Sequence, residues 1–120
     1  MPFPSTRRGE IWTANLGERR ERHWVLIVSL DGRNQSNRID SVLIVPFSSR
    51  AAAAPTILPL PPGETGLPET SYLRGHFITT LPKQRLIERT RTLSARRMRE
   101  VAAVIRRAFD PDAPYESLAE

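Results

Sequence analysis

Two segments, HWVLIVS at residues 23–29 and VLIVPFSS at residues 42–49, decide the fold of this chain. Each contains a continuous run of aliphatic and β-branched residues, which is typical of a β-strand buried on both faces. A third segment, RGEIW at residues 8–12, begins a stretch that continues as far as Gly17 and also fits a strand. The sequence therefore predicts three core strands, at residues 10–16, 25–30 and 42–47.

The rest of the chain predicts shorter strands and one helix. Residues 51–70 are rich in proline, and because proline cannot donate to a strand ladder, only 56–60 is predicted there as a strand, at an edge. Residues 71–80 predict a strand with a break near Gly75, and residues 86–93 fit a strand or a helical turn. A helix is predicted from its N-cap Ser94 to Asp110, with a buried stripe of Ala95, Met98, Val101, Ala102, Ile105, Ala108 and Phe109.

The composition indicates a single domain stabilised by packing alone. A chain of 120 residues can bury one core, and we expect the domain to span 1–109, followed by an acidic, mobile tail at 110–120. With no cysteine and two histidines, we expect no disulfide, no metal site and no cofactor. The chain has no run of about 20 apolar residues and no signal-peptide pattern. We therefore expect a cytoplasmic protein with no membrane partner.

The positive charge suggests a polyanionic partner. The formal net charge is +5, and all but one of the 18 basic residues are arginine, whose planar guanidinium suits bidentate recognition of phosphate. Arg19, Arg20 and Arg22 lie close together between the first two predicted strands. The alternative interpretation is an ordinary solvated surface that is rich in arginine.

The order and spacing of these segments resemble the MazF/PemK family of toxins. In that family a first strand opens with a basic residue, glycine, an acid, an aliphatic and an aromatic residue, as residues 8–12 do here. The Val-Leu-Ile-Val run at 25–28 matches the second strand, and Pro-Phe-Ser-Ser at 46–49 matches the end of the third. GHFITTLPKQRL at 75–86 resembles a later family motif more loosely, so that the likeness covers roughly 7–109.

The resemblance implies a mainly β (α+β) fold, a small SH3-like or CcdB-like β-barrel with a C-terminal helix, that forms homodimers. It also implies a sequence-selective, metal-independent endoribonuclease toxin of a type II toxin–antitoxin system. Such a toxin cleaves single-stranded RNA (mRNA) by attack of a ribose 2′-hydroxyl and binds a cognate acidic antitoxin. Two alternatives remain open: a non-catalytic family member that binds RNA or an antitoxin, and a gyrase poison similar to CcdB.

The resemblance also implies catalytic residues. Family sites use an arginine of the second strand and a Thr or Ser of the third. Ser48 matches the hydroxyl, whereas His23 occupies the arginine position and Arg22 precedes it. His76 falls where the family carries an acid beside its active site. We therefore predict Arg22, His23, Ser48 and His76 as catalytic, with the two imidazoles exchanging protons.

Whether Arg22 can replace the missing arginine depends on local geometry. If residue 22 already belongs to a straight strand, Arg22 faces the opposite side from His23 and cannot simply replace the missing arginine. If residue 22 lies in the loop, it can occupy the arginine's place. Further RNA contacts are predicted for five residues near these positions: Arg19, Arg20, Trp24, Ser49 and Arg74. The alternative for Trp24 is a place in the core, where tryptophans beside buried strands more often lie.

Overall fold

The structure is a computed structural model that describes residues 3–17 and 21–113. Its strands are β1 (Glu10–Asn15), β2 (Arg22–Ile27), β3 (Ser41–Pro46), β4 (Ile57–Leu60), β5 (Ser71–Arg74), β6 (Thr79–Pro82) and β7 (Leu86–Thr92). Its helices are α1 (Asp31–Asn34), α2 (Pro62–Thr65) and α3 (Ala95–Phe109), and 3-10 turns occupy Gly75–Phe77 and Lys83–Arg85. The predicted α+β class with a C-terminal helix is confirmed.

The strands form two antiparallel sheets. Five strands pair in the order β6-β3-β2-β1-β7, and β4 pairs with β5. The register places Ile11 of β1 opposite Leu26 of β2, and Leu26 opposite Val45 of β3. Because opposite residues in an antiparallel pair share a face, these three side chains form one apolar row across the centre of the sheet.

Both faces of β2 and β3 are covered, as their continuous apolar runs predict. The row of Ile11, Leu26 and Val45 packs against Met98 and Val101 of α3, and against one leucine each from β4 and β5, Leu60 and Leu73. The opposite face of the sheet carries a second cluster, which includes Trp12, Ala14, Val25, Ile27, Val42, Ile44, Leu81 and Leu86.

The short link between β6 and β7 requires the five-stranded sheet to curl. These strands are the two edges of the sheet, and in a flat sheet four interstrand spacings would separate them by about 19 Å. A three-residue turn joins them, and the four Cα steps from Pro82 to Leu86 span at most about 14 Å. The sheet therefore rolls around its second cluster, although no ladder between β6 and β7 is found in the described part of the chain.

Lys83, in the turn that joins these edges, anchors the connection between β2 and β3. Its side chain is fully buried, and Nζ donates to the carbonyls of Arg33 (2.9 Å) and Ser36 (2.8 Å). The ammonium also lies 5.2 Å from the centre of the Phe3 ring. The backbone amide of Lys83 donates to the carbonyl of Asp40 at 2.8 Å. One buried lysine thus fastens both the loop and the N-terminal segment.

Helix α3 begins where the sequence predicts it. The Ser94 hydroxyl accepts from the amide of Arg97 at 3.1 Å, as expected of an N-cap. The predicted stripe was right only for Met98, Val101 and the half-buried Ile105: Ala95, Ala102, Ala108 and Phe109 are exposed, whereas Val104, which lies outside that stripe, is buried. Periodicity gives the direction of an apolar face, but not where the covered surface ends.

The last described residues extend α3 by a short turn. Asp110 is paired with Nε of Arg106 at 2.7 Å, and this hydrogen bond holds the pKa of the Asp110 carboxyl below its ordinary value. Ala113 is buried. The rest of the predicted mobile tail, 114–120, lies outside the described residues. None of the helices in the described ranges is long and apolar enough to cross a membrane.

Substitution of Gly75 by alanine should destabilise the fold by overpacking. A Cβ at this position would lie 2.7 Å from backbone atoms of Val104 and Ile105 in α3. We expect Gly75→Ala to lower the free energy of unfolding by about 1–3 kcal/mol, measured by urea denaturation. Gly32→Ala is the matched control, because nothing lies within 4 Å of its added Cβ. Equal stabilities of the two variants would contradict this packing.

Replacement of Lys83 by methionine should also destabilise the protein. The change keeps an unbranched side chain but leaves the carbonyls of Arg33 and Ser36 without their buried donor. We expect a loss of about 3 kcal/mol in the free energy of unfolding. Arg85 lies exposed in the same turn, so the control Arg85→Met should change the free energy of unfolding by less than about 0.5 kcal/mol. A Lys83→Met protein as stable as the control would refute the anchoring role.

Candidate functional site

A cavity of about 250 Å³ lies where β2 begins and the antiparallel β3 ends, and we call it the strand-end cavity. Three residues chosen from the sequence, Trp24, Ser48 and Ser49, line it together. The remaining lining residues come from the end of β3 and from the segment that leads into β5: Phe47, Leu67, Pro68, Glu69 and Ser71. The structure therefore brings part of the predicted site into one concave surface.

Backbone hydrogen bonds fix the position of Ser48. The amide of Phe47 donates to the carbonyl of Trp24 at 2.9 Å, which continues the pairing of β2 with β3 past Pro46. The amide of Tyr72 in β5 donates to the carbonyl of Ser48 at 2.7 Å. Ser48 is thereby held between the large sheet and the small sheet.

The serine hydroxyls of the cavity are available to a ligand. Oγ of Ser48 accepts from the amide of Arg50 at 3.1 Å, a local turn contact that leaves its own hydrogen free to donate. The hydroxyls of Ser49 and Ser71 make no hydrogen bond with the described residues, and Ser71 is only 2% exposed. The cavity thus presents three hydroxyl groups that can each donate or accept.

Arg22 and His23 both belong to β2. They pair with Asn15 and Ala14 of β1, respectively. Since successive side chains of a strand point to opposite faces, Arg22 lies on the same side as Trp24, and His23 on the other. Arg22 therefore does not occupy the face of His23, but it shares the face of a cavity residue. Nε2 of His23 lies 3.7 Å from a carboxylate oxygen of Glu21.

His76 lies on the other side of β3. Its Nδ1 is 2.9 Å from Oγ1 of Thr56, and its ring meets that of Phe77 edge-on. The register that pairs Thr79 with Ile44 places the preceding turn beside the end of β3, opposite the edge that pairs with β2. His76 is not among the cavity-lining residues. The elements that carry the two histidines therefore flank the strand that delivers Ser48.

Of the predicted arginines, the structure describes Arg22 and Arg74. Nη2 of Arg74 donates to the carbonyl of Arg50 at 2.9 Å, so this side chain reaches the loop that follows Ser49. Arg19 and Arg20 lie outside the described residues. Within residues 3–17 and 21–113, no group of three His, Asp or Glu side chains is placed to hold a metal ion.

Sequence reasoning missed the segment 67–71, which supplies half of the cavity. The signal was present in PPGETG, because proline at the start and glycine just past the end mark a short helix. Gly66 ends α2 with φ of 80° and turns the chain back. The sequence does not show that this turn brings Glu69 and Ser71 to the ends of two distant strands.

Comparisons with solved structures identify the same fold in known toxins. An endoribonuclease from Mycobacterial species, solved in complex with its cognate antitoxin, has a TM-score of 0.77 and 24% identity, covering 91% of this chain and 99% of that chain. The Mycobacterium tuberculosis toxin MazF-mt6 has a TM-score of 0.73 and 23% identity, covering 86% of this chain and 98% of that chain. A chain of the MazE–MazF structure from Deinococcus radiodurans has a TM-score of 0.71 and 19% identity, covering 86% of this chain and 94% of that chain.

The sequence comparison identifies the family. No curated protein sequence matches the chain. The family model described as "PemK-like, MazF-like toxin of type II toxin-antitoxin system" matches residues 7–109, which include all of the described strands and helices. The chain therefore belongs to the PemK-like, MazF-like toxin family of type II toxin–antitoxin systems.

Proposed function

We propose that this protein is a sequence-selective endoribonuclease toxin that cleaves single-stranded RNA, including mRNA, without a metal ion. Its family is known for endoribonuclease toxins. The observation that carries the proposal is the convergence of Trp24, Ser48 and Ser49 on one cavity at the ends of β2 and β3. This cavity lies on a chain of net charge +5, which favours a polyanionic substrate.

The reaction is attack of a ribose 2′-hydroxyl on the adjacent phosphorus. One group takes the proton of the 2′-hydroxyl, another protonates the leaving 5′ oxygen, and donors stabilise the charge on the phosphate. Ser48 supplies a hydroxyl donor whose position is fixed by two sheets. Arg22, on the same side of β2 as Trp24, supplies the guanidinium for a nonbridging oxygen. The products are a cyclic phosphate and a 5′-hydroxyl.

We assign the proton transfers to His23 and His76. An imidazole can act as base or acid near neutral pH, and these are the two histidines of the chain. Their elements lie on either side of the end of β3. Both rings reach solvent, since His76 is exposed and His23 is half-buried. A bound RNA backbone that crosses the end of β3 would therefore pass both of the elements that carry these histidines.

The remaining assignments concern RNA contacts and partners. Trp24 offers a surface on which an unpaired base can stack, Ser49 lines the same cavity, and Arg19, Arg20 and Arg74 contact phosphates. An acidic antitoxin complements this basic chain, as a cognate antitoxin accompanies the Mycobacterial endoribonuclease. By family likeness, the protein acts as a homodimer in the cytoplasm.

A non-catalytic role is the second candidate. It is favoured by the replacement of the family arginine by His23. In addition, Arg22 lies on the face of β2 opposite His23 and so does not take the arginine's place. Such a protein would bind RNA or an antitoxin without cleavage, or would poison gyrase as CcdB does. Cleavage of purified RNA separates these possibilities from the nuclease.

Substitution of Ser48 by alanine should reduce cleavage of a defined single-stranded RNA in EDTA by about 10²-fold, because it removes a donor to the charged transition state. Ser36→Ala is the matched control, since the Ser36 hydroxyl also accepts from the amide two residues later, that of Arg38. The control should cleave at the wild-type rate. Equal rates for both variants would exclude Ser48, and no cleavage by the wild type would favour the binding role.

Substitution of the histidines should show which of them moves protons. We expect His23→Ala and His76→Ala each to lower the rate of cleavage by about 10²-fold or more. Full activity of both variants, measured on the same RNA in EDTA, would remove the imidazoles from the mechanism.

A further inference from the structure

We infer that the strand-end cavity binds one unstacked base of the RNA, and that Glu69 selects guanine there. The inference rests on the proposed RNA substrate and adds the determinant of its sequence preference. At about 250 Å³, the cavity is smaller than the roughly 300–1,000 Å³ typical of sites for drug-sized ligands. Its size suits a single base rather than a whole nucleotide.

The lining of the cavity has the chemistry that base recognition needs. Trp24 and Phe47 supply aromatic surface from one wall, and stacking on aromatic side chains is how proteins commonly hold unpaired RNA bases. Ser49 and Ser71 supply hydroxyls that have no partner among the described residues. Ser48 lies in the same lining, so a base bound here would be adjacent to the group proposed to contact the phosphate.

Glu69 is the unusual member of this lining. It is exposed and makes no hydrogen bond or ion pair with the described residues. A carboxylate beside a phosphate site repels the substrate backbone, so Glu69 does not help to hold phosphate. It can, however, accept hydrogen bonds from N–H groups of a base, because an ionised carboxylate is an acceptor only.

The acceptor character of the carboxylate determines which base fits. Guanine carries two adjacent donors, N1–H and the N2 amino group, on its pairing edge, and these match the two oxygens of Glu69. The guanine O6 can accept from a serine hydroxyl of the cavity, Ser49 or Ser71. Uracil places carbonyl oxygens on both sides of its single N–H, and these acceptor oxygens repel the oxygens of a carboxylate. Guanine is therefore favoured and uracil is disfavoured.

The test uses oligonucleotides that the protein can bind but cannot cleave. A 2′-O-methyl hexamer of uridine is compared with the same hexamer carrying one central guanosine, by fluorescence anisotropy at fixed ionic strength. We expect wild-type protein to bind the guanosine hexamer about tenfold more tightly, as is typical of one bidentate base contact. Glu69→Gln replaces one acceptor by a donor and should reduce this preference to about twofold or less.

Glu88→Gln is the matched control, because Glu88 is an exposed glutamate of β7 outside the cavity, and it should retain the wild-type preference. The inference is overturned if the wild type does not distinguish the two hexamers, if Glu69→Gln keeps the preference, or if neither hexamer binds. RNA cleavage without a Glu69-dependent preference would overturn this inference alone. A Glu69-dependent preference without cleavage would support it and overturn only the nuclease proposal.

Discussion

The burial of β2 and β3 on both faces is the physical constraint around which the other elements are arranged. Their central residues, Val25–Ile27 and Val42, Ile44 and Val45, are fully buried, and removing such apolar surface from water is the main favourable term in folding. One face is covered by α3 and the small sheet, and the other by the curl of the large sheet on itself. The three-residue link from β6 to β7 maintains that curl.

The same constraint explains where the site lies. Polar side chains are costly inside a core, so Arg22, His23, Ser48 and Ser49 occupy the ends of the two buried strands. The end of β3 stays attached to both sheets, because Phe47 and Ser48 still bond to β2 and β5 through their backbones. A rigid support under exposed polar groups is what a catalytic or binding site requires.

The sequence predicted what depends on local pattern. The alternation from Glu10, the apolar runs of β2 and β3, the break at Gly75 and the Ser94 cap are all signals that act within a few residues, and each is found. Trp12 lies in the core, as is usual for a tryptophan beside buried strands, and its indole donates to the buried carboxylate of Glu10 at 3.0 Å.

The sequence did not predict contacts that depend on distant partners. Lys83 is buried although lysine is ordinarily exposed, because it finds its carbonyl acceptors about fifty positions earlier in the chain. Likewise, Glu69 and Ser71 join the cavity only after α2 turns the proline-rich segment back. For the same reason, Trp24, Ser48 and Ser49 could be chosen from the sequence, whereas the other five residues that line the cavity could not.

The proposed function depends on an RNA-cleaving site at the polar ends of β2 and β3. Its most direct test is the mapping of cellular RNA ends after brief expression of the wild type and of Ser48→Ala. We expect new 5′-hydroxyl ends within a common short sequence in wild-type cells, and their absence with Ser48→Ala. Growth arrest by the wild type with unchanged RNA ends would contradict it and would direct attention to another target, such as gyrase.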